Sequence, residues 1–351
     1  MKFFKNNSDY LKQVADNGLK QIRTTISRIN AKKITKIVRD RTGRKVVSAK
    51  ILSDIKHYAK ERFGSKSYWP WLVLYTEIRG EFIPGWIPLD YYRFHILKQI
   101  NQEVAIHVSE VKSLDYQYFS DFAVKPLFSR IQSNYYSAES ELLSVNEIRK
   151  ILHEHDNEIV IKEAYGFQGS QITFIHSNDF TTELAGHKKN YIVQPALKQH
   201  EILHAVHPGS VNTIRVNTFL EDNGTPVVKF AYLRFGTKGI RVDNVSKGGY
   251  LCFIDPSGNC APWMYDQYGY RAGKEHPDTK VEFIKVRIPG YETLLQTCIN
   301  SHRRFPYARF IAWDVAIDIN GNPRLIEWNV HTPGFWKGEA LKGPIWDQIP
   351  E

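Results

Sequence analysis

The sequence predicts an α+β protein that mixes helix and sheet behind a basic helical N-terminal segment. Three observations carry that expectation. Apolar residues recur at helical spacing through the first 62 positions, the pattern turns mainly to short strands from residue 159, and the chain closes on a hairpin with an Asn-Gly turn. At 351 residues, 42 % hydrophobic and 13 % aromatic, the chain can build a sizeable core in one large domain or two to three lobes.

Three cysteines, Cys252, Cys260 and Cys298, are too few and odd in number for a disulfide framework, and fit a reducing compartment. The opening Met1-Lys2-Phe3-Phe4-Lys5 lacks the apolar core of a signal peptide, and no run approaches the length of a membrane span. A cytoplasmic protein is the expectation. Residues 1–62 carry 17 Lys and Arg against five Asp and Glu, a balance of +12. The whole chain is +10, so residues 63–351 sum to −2. Basic character belongs to the N-terminal segment, so nucleic acid is not expected as a partner.

In order, residues 9–40 read as a helix carrying Leu11, Val14, Leu19, Ile22, Ile26, Ile29, Ile34 and Ile37, ended by Gly43, with a second helix over Ser53–Arg62. The plain expectation is that the isoleucine stripe packs on the main body; the alternatives are docking to an anionic membrane surface or to an acidic polymer. Residues 68–100 are dense in aromatics and read as mixed helix and strand. Ser144 with Glu147 three residues later predicts a capping box opening the next helix.

Glu158–Lys162 is a short apolar strand ending in lysine, followed by Tyr165-Gly166-Phe167-Gln168-Gly169-Ser170 and a strand over Gln171–Ile175. Backbone amides of such a loop can donate to phosphate oxygens while the lysine meets their charge. It is neither a Walker A loop nor a strand–helix GxGxxG. Tyr191–Ala196 is a strand broken at Pro195, Val211–Leu220 carries Asn212 and Arg215, and Val227–Phe235 carries Arg234. A polar loop, Asp243-Asn244-Val245-Ser246-Lys247-Gly248-Gly249, leads to a strand at Tyr250–Asp255, and Tyr291–His302 reads as a helix. In the closing hairpin, Asp314 lies on one strand and Glu327 and Asn329 share a face of the other, across Ile319-Asn320-Gly321-Asn322-Pro323. Two carboxylates and an amide oxygen make a hard donor set, suited to Mg²⁺ rather than zinc.

His200-Glu201-Ile202-Leu203-His204 also satisfies H-E-x-x-H, with His207 as a third nitrogen for a zinc hydrolase. Pro195 and Pro208 leave little more than two helical turns, which argues against it.

Assembled, Lys162, the Gly166–Ser170 loop, Asn212-x-x-Arg215, Arg234 and Asp314 with Glu327-x-Asn329 resemble the ATP-grasp superfamily, and most closely its sugar-transfer-associated branch. The resemblance spans roughly residues 80–340 and is strongest from 158 onward. It implies two α+β lobes holding ATP between them, with this organisation: a basic extension over 1–65, a pre-ATP-grasp region over 66–145, a lid lobe over 146–196 and a large lobe with the metal site over 197–351. By the resemblance, Lys162 contacts the α/β-phosphates, and Gly166, Gln168, Gly169 and Ser170 close over them. Gln194 and Ala196 flank the adenine and Glu201 takes the ribose. Asn212, Arg215 and Arg234 surround the transferred phosphoryl group. Asp314, Glu327 and Asn329 hold Mg²⁺, two ions by the same implication. Asp243, Asn244, Gly248, Gly249 and His331 border the substrate pocket. The pattern departs in one place: the family's Asp-Lys pair is missing, Asp115 being followed by Tyr116, and Lys112 or Lys125 is the candidate replacement.

The resemblance implies an ATP-dependent carboxylate–amine ligase working through an acyl-phosphate, joining an amino acid or amine to a uronic acid in capsule or O-antigen assembly. Its partners would be small or sugar-linked carboxylates and amines; separately, the basic helices are candidates for docking at the inner membrane face or on an acidic polymer. A sugar or small-molecule kinase on the same fold and a non-catalytic nucleotide-binding scaffold are the competing readings.

Overall fold

The computed structural model describes residues 2–165, 172–182, 189–237, 248–331 and 333–350, with side chains from Gly18 onward. The chain divides into two compact units: Met1–Ile100 with Tyr268–Tyr270 and Gly334–Glu351, and Asn101–Gln267 with Arg271–Pro333.

The first unit is helical. α1 spans Lys2–Thr42 and α2 spans Ala49–Phe63. Ser48 caps α2 through the Ile51 amide, and Gly64 closes it in the left-handed region, where a side chain would be strained. α3, Trp69–Arg79, is buried from Pro70 to Glu77. The residues of α1 that pack are Ser27, Ala31, Thr35 and Val38, whereas Leu19, Ile22, Ile26 and Ile29 are 51–59 % exposed. This corrects the expectation that the isoleucine stripe docks on the body: small residues allow the closer helix approach that α3 requires. Residues 68–100 hold helices and helical turns and no strand, because the aromatics that suggested strands pack at helical spacing in α3.

Buried acids in this unit have complete sets of partners. Glu77 accepts from Arg39 at 2.6 and 2.9 Å and from the Val46 and Val47 amides at 2.9 and 3.1 Å. Asp90 pairs with Arg28 at 2.7 Å. Glu339, on the helix Phe335–Lys342, accepts from the Ile87 and Ile345 amides at 2.8 and 3.0 Å. Residues 334–350 therefore fold with residues 2–100 rather than completing the large lobe expected over 197–351.

The second unit contains two antiparallel sheets. The first has β1 (Phe128–Ile131), β2 (Asn134–Tyr136), β3 (Leu142–Leu143), β4 (Glu158–Glu163), β5 (Ile172–His176) and β6 (Tyr191–Pro195), in the order β3-β2-β1-β6-β4-β5. Since β1 lies against β6, the expected boundary at 145/146 falls within one sheet. Between β3 and β4 runs α4, Val145–His155, opened by the expected Ser144–Glu147 capping box. The second sheet has β7 (Thr213–Leu220), β8 (Pro226–Phe235), β9 (Tyr250–Ile254), β10 (Cys260–Tyr265), β11 (Arg271–Gly273), β12 (Phe310–Ile317) and β13 (Pro323–Asn329), in the order β11-β10-β9-β8-β7-β12-β13.

Alternation assigns this sheet two distinct faces. Ile214 and Val216, Ala231 and Leu233, Cys252 and Ile254, and Trp313 and Val315 point into one apolar core, with Leu294 and Cys298 of a helix over Tyr291–Arg304. Trp313 and Trp328 stack at 5.9 Å within it, and each buried indole contributes about 3 kcal/mol by area. Thr218 accepts from the Trp313 indole and bonds His302 Nδ1 at 2.7 Å, while His302 Nε2 reaches the Ala308 carbonyl, fixing β12 against β7. The residues between these apolar positions, including Arg215, Tyr232, Arg234 and Asp314, emerge on the opposite face.

Candidate functional site

Asp314 sits at the middle of β12, flanked on its own face by Ala312 and Ala316, whose small side chains leave room beside the carboxylate. The register aligns Tyr232, Arg215, Asp314 and Glu327 across β8, β7, β12 and β13. A bulge between Asp314 and Val315 makes Ile326 the extra residue and pairs Val315 with Leu325, so Glu327 faces Asp314 while Leu325 still enters the core. The turn that sets this hairpin is closed by Asp318, whose Oδ1 accepts from the Asn320 and Asn322 amides at 3.0 and 2.9 Å. Gly290 must be glycine: its φ is +59°, and a Cβ there would lie 2.8 Å from the Gly321 carbonyl of the same turn.

Arg215 grips Asp314 with two nitrogens, Nε at 2.6 Å and Nη2, and Arg234 Nη1 lies 2.9 Å from Asp314 Oδ2. Burial by itself would raise the Asp314 pKa, but the two guanidinium groups hold it below the usual carboxylate range. Glu327 behaves oppositely: burial and then the charge of Asp314 raise its pKa, against Lys112, Arg215 and Arg234. No hydrogen bond or ion pair reaches the Glu327 carboxylate among the described residues. Asn329 completes the cluster, its side-chain amide 3.5 Å from Asp314 Oδ2. Asp314, Glu327 and Asn329 are thus brought together, and an unmatched carboxylate beside a second one fits a divalent cation with oxygen ligands.

Lys162, on β4, faces the same cluster from the first sheet. Burial lowers its pKa, and the charges of Asp115 and Glu327 act against that. Asp115 is a member that sequence reasoning did not place in the site: its Oδ1 accepts from the Trp328 indole at 2.9 Å, and burial pushes its pKa up to about 7. Its signal was a lone acid in an aromatic segment, which becomes informative only once Trp328 is seen beside it. Of the two candidate replacement lysines, Lys112 acts on Asp115, Lys162 and Glu327, whereas Lys125 is exposed and pairs with Glu139 at 2.7 Å. Lys112, Lys162, Arg215 and Arg234 thus meet three acids, one of them half-protonated near neutrality, leaving net positive charge for a polyanion.

Several expected site residues have other surroundings. Asn212 is fully buried, its amide within reach of Gln199 Oε1 and the Leu203 and His207 carbonyls at 3.0, 2.7 and 2.9 Å. It clamps the 199–210 segment onto the start of β7 and does not face the carboxylates. Gln194 donates to the Val124 carbonyl at 2.7 Å, and the Ala196 amide is taken by the Glu158 carbonyl at 3.0 Å. Glu201 is exposed on the first turn of α5, Glu201–Val206. Gly248 and Gly249 lead into β9 opposite the end of β8. His331 Nδ1 lies 4.0 Å from Glu110, which also accepts from Tyr165 at 2.9 Å. Gly166, Gln168, Gly169, Ser170, Asp243 and Asn244 lie outside the described residues.

The H-E-x-x-H segment does not form a zinc ligand set. α5 has only six residues, His200 precedes it as its cap with Nδ1 accepting from the Ile202 amide, and His204 is exposed. His207 stacks on His276 at 5.4 Å near Asp278, but His276 spends Nε2 on the Gly236 carbonyl and Nδ1 on the Asp278 and Thr279 amides. The buried Cys252, Cys260 and Cys298 are free thiols.

Residues 180–343 match the model of the family described as sugar-transfer associated ATP-grasp. No curated protein matches the chain. Similar solved structures include the ATP-grasp ligase PsnB complexed with minimal precursor, at 12 % identity over 66 % of this chain and 55 % of that one, TM-score 0.37. Another is the D-alanine-D-alanine ligase from Coxiella burnetii, at 10 % identity over 70 % and 58 %, TM-score 0.40. A third is the N5-carboxyaminoimidazole synthetase from Staphylococcus aureus complexed with ADP, at 9 % identity over 69 % and 52 %, TM-score 0.39. The chain spans little more than half the length of each.

Proposed function

We propose that the chain is an ATP-dependent carboxylate–amine ligase. The observation that carries this reading is Glu327, a half-buried carboxylate without a hydrogen bond among the described residues, directly opposite Asp314 and its two arginines. Asp314, Glu327 and Asn329 would hold Mg²⁺, two ions on the family pattern, which offsets charge between the β- and γ-phosphates of ATP when bound. In the first half-reaction a substrate carboxylate oxygen bonds to the γ-phosphorus and the bond to ADP breaks. In the second an amine nitrogen bonds to the acyl carbon, phosphate leaves, and the nitrogen gives up its proton.

Arg215 and Arg234 present guanidinium forks to the transferring group, redirecting hydrogen bonds now spent on Asp314. Lys162 and Lys112 add positive charge from the first sheet, and Asp115 restrains Lys162. The first sheet serves as the lid lobe in this reading, with Gln194 and Ala196 at the adenine and Glu201 at the ribose. The sugar-transfer family description supports a uronic-acid or other sugar-linked carboxylate in surface-polysaccharide assembly, with His331, Gly248 and Gly249 bordering its pocket. Work at the inner membrane face accords with that setting.

The test is ADP release from Mg-ATP across a grid of uronic acids and amines, with Glu327→Gln as the blank and hydroxylamine as trap. ADP that requires both substrates, with a hydroxamate formed in the trap, supports the ligase. ADP formed with a hydroxyl compound alone makes the chain a kinase. Nucleotide binding without turnover on any pair rejects catalysis in favour of a scaffold.

A further inference from the structure

α1 packs through a face of small residues and leaves an apolar face exposed. At 100° per residue, the packed Ser27, Ala31, Thr35 and Val38 fall within an arc of about 80°. Leu19, Ile22, Ile26 and Ile29 fall within another arc of about 80° on the opposite side of the helix. Each is more than half exposed: 51 %, 59 %, 52 % and 57 %. Four branched aliphatics in one row are not the scattered apolar residues of an ordinary surface.

Charge identifies what such a row would meet. From Asn17 to Arg39 there is no acidic residue, while Lys20, Arg23, Arg28, Lys32, Lys33, Lys36 and Arg39 are all basic. Arg28 and Arg39 are spent on Asp90 and Glu77 inside the unit. Arg23, Lys32, Lys33 and Lys36 are exposed, Arg23 and Lys36 on either side of the row and Lys33 continuing its line. A second copy of the same face would set these cations against one another, with Asp40, at the far end of the face, the one carboxylate on it among the described side chains. The row also spans only about one and a half heptads, short of the three to four that a helical pair needs. An interfacial helix has neither restriction: it needs an apolar stripe of modest area with flanking Lys and Arg.

We propose that the Leu19–Ile29 face of α1 lies in the headgroup region of an anionic lipid bilayer, its four aliphatics inserted and Arg23, Lys33 and Lys36 on lipid phosphates. This is peripheral attachment; among the described residues no helix is long and apolar enough to cross a membrane. The inference is independent of the ligase reading, because it concerns a face without site residues.

The experiment is co-sedimentation of the full chain with vesicles of about 70 % phosphatidylcholine and 30 % phosphatidylglycerol, beside pure phosphatidylcholine, at roughly 0.1 and 0.5 M salt. Binding should be at least about fivefold stronger on the anionic vesicles and should fall severalfold at the higher salt. The Ile22→Ser, Ile26→Ser double variant should lose at least about fivefold in binding and keep its thermal midpoint, because that face carries no packing. Arg23→Glu with Lys33→Glu should lose the preference for anionic vesicles. Absence of binding to anionic vesicles, equal binding to neutral ones, or full binding by the serine variant would overturn the proposal. So would a concentration-dependent dimer in light scattering that the serine variant abolishes, which would assign the face to a second copy.

Discussion

In the helical unit, Glu77 is 2 % exposed and receives a guanidinium and two backbone amides, so its burial is fully compensated within the chain. In the sheet unit, Glu327 is set against another carboxylate, with no hydrogen bond among the described residues, and its pKa is raised by burial. Glu77 is buried and Glu327 half-buried, yet one has a full set of hydrogen-bond donors and the other meets only the longer-range charge of Lys112, Arg215 and Arg234. Burying an ionised group costs several kcal/mol unless partners offset it, so a fold retains an uncompensated one where a ligand supplies the remainder. The difference teaches that the direct partners of an acid separate a structural carboxylate from a candidate ligand.

The largest expected effect would break this comparison from the catalytic side. Glu327→Gln should lower the rate of ATP turnover by about 10³-fold while leaving the thermal midpoint equal or higher, since no partner is lost. A variant that loses stability and activity together would mean that Glu327 is structural after all. From the other side, Glu77→Ala should cost about 3 kcal/mol in urea unfolding, because Arg39 and two amides lose their acceptor. An unchanged midpoint there would erase the contrast between the two units.

Asp115 sharpens the comparison, being partly compensated by the Trp328 indole. Its folded pKa of about 7 is above the ordinary carboxylate value. Its favourable contribution is therefore complete below about pH 4 and is lost as pH rises towards 7. Asp115→Asn keeps the indole hydrogen bond and should flatten that slope, stabilising the ligand-free chain at pH 8 by about 1–3 kcal/mol and hardly at all at pH 4. Thermal melts across that range read the difference directly. The smallest effect concerns the two lysines: Lys112→Ala should weaken kcat/KM for ATP by about tenfold, whereas Lys125→Ala should leave it unchanged. Equal effects would remove Lys112 from the site.

Much of the site's frame was legible because it is local. The Asn320-Gly321 turn and the alternating residues around it place Asp314, Glu327 and Asn329 on one hairpin, and Ser144 with Glu147 announces a helix start three residues away. The strand assignments for Lys162, Arg215 and Arg234 likewise rest on period-two patterning within a few residues. Misread elements were those whose reason lay far off in the chain. The aromatics of 68–79 suit strand or helix equally, and a helical partner selected helix. Asn212 reads as a polar group near phosphate, but Gln199 and two carbonyls engage it from the preceding segment.

By itself, then, the sequence determined the hairpin, the placement of Asp314, Glu327 and Asn329 on it, the alternating faces of the sheet and the basic stretch of α1 from Asn17 to Arg39, since turn chemistry, strand period and charge need no distant partner. Tertiary structure decided which face of α1 packs, drew Asp115 to Trp328, inserted the bulge at Ile326 and closed the arginines on Asp314. Those outcomes depend on contacts spanning up to some 200 positions, and no local propensity encodes which of two similar surfaces finds a partner.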